Sequence, residues 1–315
     1  MTTMKAVRIH NYGGPEVLVY EDVPRPAPKR GEVLIRVHAA GVNPVDWKIR
    51  SGRLQGRVDH HLPLILGWDV AGVIETLGEG VTTLQVGDAV YARPDIARDG
   101  AYAEYLVARA DELALKPKTI DFVHAAAVPL SALVAWQSLF DAANLSPGQS
   151  VLIHAGAGGV GHYAVQLAHW KGAHVITTTS ARNADFVRSL GADEVIDYTV
   201  TRFDDVLKDI DVVFDTVGGD VYERSWKVLQ KRGVIVSILN QPSAELSEQY
   251  GARAAYVFVQ PNAEQLTEIA KLIDKGNLRP IVQTVLPLAQ ARQAHELIEG
   301  GHTRGKIVLK VTDYT

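Results

Sequence analysis

The sequence predicts an α/β protein in two parts, a β-rich barrel-like domain and a doubly wound parallel sheet. Three observations predict it. The first 124 residues hold short strand-like runs broken at close spacing by Gly and Pro turns, the pattern of a small barrel. From about Asp121 strand-like runs alternate with helical ones, the pattern of a parallel sheet with helices on its faces. At the head of that second part, Gly156, Gly158 and Gly161 stand at G-x-G-x-x-G spacing, between an apolar run Val151–Ile153 and a helical pattern of Val160, Ala164, Val165, Leu167 and Ala168.

In chain order, residues 5–10 alternate as a strand, Gly13-Gly14-Pro15 marks a turn, and Val17 to Glu21 resumes strand character. Pro24, Pro26 and Pro28 punctuate an extended connector, because proline fixes φ and removes a donor. Glu32 to Ala39 places Val33, Ile35 and Val37 on one strand face. Asn43 to Lys48 opens a loop or short helix, and strands follow at Val70–Thr76, Ala89–Ala92 and Ala101–Val107. Ser131 to Ala142 has helical periodicity. After the glycine turn, strands are expected at 174–178, 194–196, 211–215, 233–239 and 254–259. Helical runs fall at 181–190, 203–208, 221–230 and 264–274, the first closed by Gly191. The tail returns to strand at 281–286, a helix near 289–299 and a strand at 306–311. It completes the first domain, giving residues 1–124 with 275–315 as one domain and 125–274 as the other.

Of 315 residues, 47% are hydrophobic and 22% charged, with net charge −4. That balance fits a globular protein with two domains. It offers no basic excess for nucleic acid and no basic amphipathic helix for a membrane surface. No apolar run approaches the roughly 18 residues of a membrane span, and the N-terminus lacks a signal-peptide apolar core, so a cytoplasmic setting is expected. There is no cysteine, which excludes disulfides, thiolate metal sites and cysteine nucleophiles. The eleven histidines form no cluster at metal spacing, and no metal is expected.

A strand, a tight glycine turn and a helix N-terminus are what a dinucleotide pyrophosphate needs, because the backbone must come close and free N–H groups must face the phosphates. Gly156, Gly158, Gly159, Val160 and Gly161 are the expected contacts. In an NAD site an acidic residue ends the second strand and takes the ribose hydroxyls. Here that strand ends Thr177-Thr178-Thr179-Ser180, followed by Ala181-Arg182-Asn183. An arginine holds a 2′-phosphate with charge assistance where a carboxylate repels it, so NADP(H) is the expected cofactor.

The chain resembles the medium-chain dehydrogenase/reductase superfamily, and within it the zinc-free quinone oxidoreductases, similar to ζ-crystallin and to alkenal and enone reductases. The likeness runs along essentially the whole chain. It rests on Ala40-Gly41-Val42-Asn43-Pro44-Val45-Asp46, Gly67-Trp68-Asp69-Val70-Ala71-Gly72, Ala125 to Trp136, the glycine turn and Arg304-Gly305-Lys306. The resemblance implies a discontinuous GroES-like catalytic domain, a Rossmann domain, a cleft between them and commonly a homodimer. Zinc-dependent relatives carry a catalytic Cys and His where this chain has Asn43 and Trp68. The resemblance therefore implies metal-free hydride delivery to a quinone or to the β-carbon of an enone or alkenal.

By the same resemblance, Ser180 and Tyr198 stand beside the adenosine 2′-phosphate, with Arg182 carrying the charge where some relatives have lysine at the position of Asn183. Val217 and Leu239 match positions lining the nicotinamide–ribose side, and Lys306 matches a basic residue that approaches the cofactor phosphates. Four residues are catalytic candidates. Asn43 is placed to hydrogen-bond ribose or substrate, and Asp46 matches a carboxylate that orients its neighbours. Lys48 stands where several relatives have a tyrosine; it is a proton donor and enolate holder or a solvated surface residue. Trp68 is an apolar wall for a flat substrate or a packed core residue. Two other functions share these features: an enoyl-thioester reductase, and a crystallin-like protein that binds cofactor with little turnover.

Overall fold

The structure, a computed structural model, describes residues 2–312. The chain forms two compact units, one made of the residues up to Leu133 with those from Gln260 on, the other of Val134–Val259.

The first unit opens with strands β1 (Thr3–Ile9), β2 (Leu18–Pro24) and β3 (Glu32–Val42). Helix α1 (Pro44–Arg50) follows, then β4 (Leu64–Ile65), β5 (Val70–Leu77), β6 (Ala89–Ala92), β7 (Tyr105–Arg109) and β8 (Leu113–Leu115). Helix α2 (Phe122–Ala126) comes next, capped by Asp121, whose carboxylate accepts His124 N–H at 2.8 Å, and then α3 (Pro129–Trp136), along which the first unit ends and the second begins. α3 runs on into a wider turn, Gln137–Ala142. The strand expected at 101–107 begins only at Tyr105, because Ala101 and Tyr102 give their N–H groups to Gly67 and Leu66 instead of a continuous ladder.

The second unit is a βα alternation. It runs β9 (Ser150–Ile153), α4 (Gly161–Trp170), β10 (His174–Thr179), α5 (Ala184–Arg188), β11 (Glu194–Asp197), α6 (Phe203–Val206), β12 (Ile210–Asp215), α7 (Asp220–Ser225), β13 (Leu229–Ser237), α8 (Ala244–Tyr250) and β14 (Arg253–Tyr256). Its parallel strands stand in the order β11-β10-β9-β12-β13-β14. The chain winds outward from β9 in both directions, so a switch point lies between β9 and β12, where ligands settle at the carboxyl ends of such strands. The central strands are covered on both faces and so read as near-continuous apolar runs such as Val212–Phe214. The core gathers Leu152, Ile176, Val213, Tyr222, Trp226 and Ile235.

The chain then returns to the first unit with α9 (Ala263–Asp274), β15 (Val282–Pro287), α10 (Ala291–Glu299) and β16 (Lys306–Lys310). β16 lies antiparallel to β3 and parallel to β15, in a sheet ordered β15-β16-β3-β5-β6-β8 with β7 also on β3. A second sheet is ordered β2-β1-β4. Both domain edges differ from the expected 125–274, since the second unit runs Val134–Val259. Helix α9 belongs to the first unit because it packs on β8, Tyr91 Oη donates to Leu266 O at 2.5 Å, and Asp274 accepts Thr119 N–H at 3.0 Å. The expected helix at 221–230 ends early, since Leu229 and Gln230 already belong to β13.

Candidate functional site

In the first unit, β3 runs straight into α1, and Asn43 is the hinge residue between them. Its N–H donates to Asp46 Oδ2 at 2.8 Å, so a carboxylate in the first turn closes the helix start. Its side-chain amide is held from both ends. Nδ2 donates to Asp69 Oδ2 at 2.7 Å, while Oδ1 accepts from Lys306 Nζ and, at 3.5 Å, from Ser131 Oγ. An ammonium has no acceptor, so the atom facing Lys306 is the oxygen, and that settles the orientation of the amide. Lys306 also donates to Asp69 Oδ2 at 3.2 Å and to Ser131 Oγ at 3.1 Å. Asp69 Oδ1 accepts Leu130 N–H at 2.6 Å. All four side chains are buried.

This cluster overturns the expectation for Lys306. Its three ammonium hydrogens are taken by Asn43, Asp69 and Ser131, and its side chain is 2% exposed, so it is not a phosphate ligand. Of the two readings for Trp68, the structure gives the packed core residue and not the substrate wall: it is fully buried in the core, and its indole N–H donates to Arg98 O at 3.1 Å. Asn43 is itself buried, with one amide hydrogen left over. Burial pushes the Asp69 carboxyl above its ordinary range, against the Lys306 charge and the hydrogen bonds from Asn43 and Leu130.

Asp46 lies beside this cluster. Burial pushes its carboxyl up to about 7, against the Asn43 N–H and the Tyr102 hydroxyl, which donates at 2.9 Å. Its Oδ1 has no hydrogen-bond partner among the described residues. Burial and Asp46 together push the Tyr102 phenol well above its usual range. Lys48, in the last turn of α1, is half-buried and has no ion-pair partner among the described residues. Burial, with the Arg53 charge adding to it, lowers its pKa, which eases proton release. Asp69, Ser131 and Tyr102 were not singled out from the sequence. The signal for Asp69 was its place in Gly67-Trp68-Asp69 and that for Ser131 its place in Ala125 to Trp136; Tyr102 left none.

In the second unit, the glycine turn sits on β10. A Cβ on Gly156 would stand 2.1 Å from Thr177 Oγ1, and one on Gly161 would stand 2.2 Å from Ala155 O, so both positions admit no side chain. Gly158, Gly159 and Val160 are partly exposed at the start of α4, whose first N–H groups have no intrahelical acceptor. Neutral groups stabilise this turn. Ser225 Oγ donates to Val221 O at 2.7 Å, so it accepts His154 Nε2–H at 2.9 Å. Nδ1 of His154 then accepts from Thr178 Oγ1 at 3.1 Å, and Thr178 Oγ1 accepts Ala155 N–H at 3.2 Å. Ala155 has a φ of 53°, and this chain of bonds holds it there. Burial pushes His154 down to about 4, so the ring is neutral.

At the end of β10, Ser180 is half-buried and Arg182 exposed in the short turn Ala181–Asn183. Arg182 makes no ion pair among the described residues. Tyr198 is 60% exposed, and its N–H donates to Thr179 O at 3.2 Å, which sets the phenol beside that strand end. No acidic residue closes β10 itself. The close-fitting glycines and the unpaired Arg182 fit a dinucleotide carrying a 2′-phosphate. Val217 and Leu239, after β12 and β13, are 46% and 42% exposed at the carboxyl edge of the sheet.

A GroES-like barrel and a parallel sheet of this strand order define the medium-chain dehydrogenase/reductase class. Residues 29–118 match the alcohol dehydrogenase GroES-like domain, and residues 190–309 match the zinc-binding dehydrogenase family. An NADPH-dependent alkenal/one oxidoreductase of Arabidopsis thaliana is 37% identical over 97% of this chain and 79% of that protein. The structure of the quinone oxidoreductase from Coxiella burnetii superposes with a TM-score of 0.92 at 38% identity, covering 99% of this chain and 100% of that one. That of Escherichia coli quinone oxidoreductase complexed with NADPH gives 0.89 at 32% identity, over 97% and 99%. The chain belongs to the quinone oxidoreductase family of this superfamily. Zinc, which the second matching family is named for, does not fit these residues: the Asn43 oxygen is taken by Lys306, the Trp68 nitrogen is a donor, and there is no cysteine.

Proposed function

We propose that the protein is an NADPH-dependent, zinc-independent reductase of quinones and α,β-unsaturated carbonyls. The observation that carries the reading is the buried cluster of Asn43, Asp69 and Lys306, which puts an ammonium against the Asn43 and Asp69 oxygens, Asn43 standing where the resemblance sets a catalytic cysteine in zinc-dependent relatives. The electrophile must therefore need little Lewis-acid help, as a quinone or enone does. Bound NADPH supplies the hydride.

The chain's own residues bind, orient and protonate. Gly156, Gly158, Gly159, Val160 and Gly161 cradle the pyrophosphate, while Ser180, Arg182 and Tyr198 hold the 2′-phosphate. Val217 and Leu239 line the nicotinamide–ribose side. Asn43, locked by Asp69 and Lys306, shapes the acceptor side, and Asp46 fixes the start of α1. Lys48 gives a proton or holds the negative charge that develops on the substrate oxygen. The homodimer belongs to this reading, supported by β14 as the outermost strand of its sheet, the kind of edge that a second copy can extend.

The test is turnover with NADPH against a panel of quinones, enones and alkenals, in wild-type protein and in Arg182→Ala. NADPH should be used at least tenfold better than NADH, and the variant should lose that preference, because one charge-assisted contact is worth about 1.5–3 kcal/mol. Silence across the panel overturns the activity, and an unchanged preference in the variant overturns the role of Arg182.

A further inference from the structure

We infer that Asp215 and Ser237 are positioning residues for the nicotinamide side of the cofactor site. The inference rests on the reading that Val217 and Leu239 line that side. Asp215 ends β12 and Ser237 ends β13, and the two face each other in the parallel ladder. Both are fully buried. Ser237 Oγ donates to Asp215 Oδ2 at 2.7 Å. The other carboxylate oxygen, Oδ1, accepts Val217 N–H at 3.0 Å and Gly218 N–H at 2.8 Å. The Ser237 hydroxyl oxygen in turn accepts Leu239 N–H at 3.1 Å and Asn240 N–H at 3.0 Å. One carboxylate, directly and through one hydroxyl, thus directs four backbone N–H groups in two loops.

The two loops also touch. Gly218 has a φ of 77°, and a Cβ there would stand 2.9 Å from Asn240 Oδ1 and 3.3 Å from Leu239 Cδ1. A buried carboxylate costs several kcal/mol unless its lone pairs are met. Asp215 meets them with three hydrogen-bond donors and no cation within ion-pair distance among the described residues. The product of that arrangement is a pair of large apolar side chains, Val217 and Leu239, held out at the carboxyl edge of the sheet instead of buried. Apolar groups kept half-exposed by a buried, fully satisfied polar pair form a rigid rest for a flat ring. Their placement decides how the ring stands to its acceptor, to which hydride transfer is steeply sensitive.

The experiment uses the full chain with NADPH and a turned-over enone. Ser237→Ala removes the hydroxyl that links the loops. It should lower kcat roughly ten- to a hundredfold and raise the deuterium isotope effect with 4-deuterated NADPH. The NADPH-to-NADH preference, set at β10 and β11, should stay unchanged, and Ser237→Thr should restore kcat. Wild-type kcat and isotope effect in folded Ser237→Ala overturn the inference. Should that variant fail to fold, Asp215→Asn serves. It keeps the acceptor for Val217 and Gly218 but turns a donor on Ser237, and should show the same slowed hydride step; normal kinetics there also overturn it. Val217→Ala and Leu239→Ala separate the two ideas. If they alter kcat and Ser237→Ala does not, only the role of Ser237 and Asp215 falls. If neither alters kcat or the isotope effect, the nicotinamide reading falls and takes this inference with it.

Discussion

Buried charged side chains hold the candidate site residues of the first unit. Lys306 faces Asp69 against Asn43, and Asp46 sits under Tyr102. Arg50 is fixed by Glu299 at 2.6 Å, with His295 Nδ1 3.1 Å from its other arm. In the second unit the glycine turn is held by neutral groups, the Thr178–His154–Ser225 chain, and the loops after β12 and β13 by one carboxylate satisfied by hydrogen bonds alone. In the proposed function the difference follows from what each unit would hold. A pyrophosphate is anionic and is met by backbone N–H groups, so buried carboxylates beside it would oppose binding. A neutral carbonyl or quinone tolerates a balanced ionic cluster behind the residues that face it.

The largest effect should come from breaking the ionic side. Lys306→Met leaves Asp69 buried without its cation, and should cost about 3–5 kcal/mol of stability in urea unfolding. Removing both charges in Asp69→Asn with Lys306→Met should cost less than the single change, because no unpaired charge remains. A loss under about 1 kcal/mol in Lys306→Met would show that the cluster is not the anchor described.

A smaller effect separates the units by pH. The Asp46 carboxyl, ordinarily near 3.8, is held up to about 7 in the fold. Between those values the folded chain keeps a proton that the unfolded chain gives up, so this group's contribution to stability falls as pH rises through the window and is flat above it. His154 has the opposite sign. Ordinarily near 6.5 and pushed down to about 4, it stays neutral in the fold while the unfolded chain binds a proton, so its contribution rises with pH from about 4 to 6.5. His295, pushed down to about 3 by burial and Arg50, adds a rise in the first unit, so variants isolate each group better than the whole curve. The melting-temperature gap between wild type and Asp46→Asn should shift against wild type as pH rises, and the gap to His154→Gln should shift in its favour. Parallel curves for both variants would contradict the assignment.

The two regions also differed in how far the sequence disclosed them. The strand, glycine turn and helix were legible because they are local, all falling between Ser150 and Trp170, and steric need at Gly156 and Gly161 leaves a mark in the sequence. The ionic cluster was not, because Lys306 and Asp69 are 237 residues apart and meet only through β16, β3 and β5. Without that pairing, Lys306 reads as a free cation and Trp68 as a pocket wall. Helix α8 escaped notice for a different reason: it buries no residue fully, so it carries no apolar stripe. The α9 boundary was missed because its apolar face, Leu266, Ile269 and Ile273, looks the same whichever unit receives it.

The central claim is hydride delivery from NADPH without a metal. Its most direct measurement is the fate of the label when chelator-treated protein is incubated with NADPH deuterated at both C4 positions and a simple enone. The account predicts one deuterium at the β-carbon of the saturated product, formed at the same rate whether or not zinc is added back. An unlabelled product, or turnover that returns only with zinc, would contradict it.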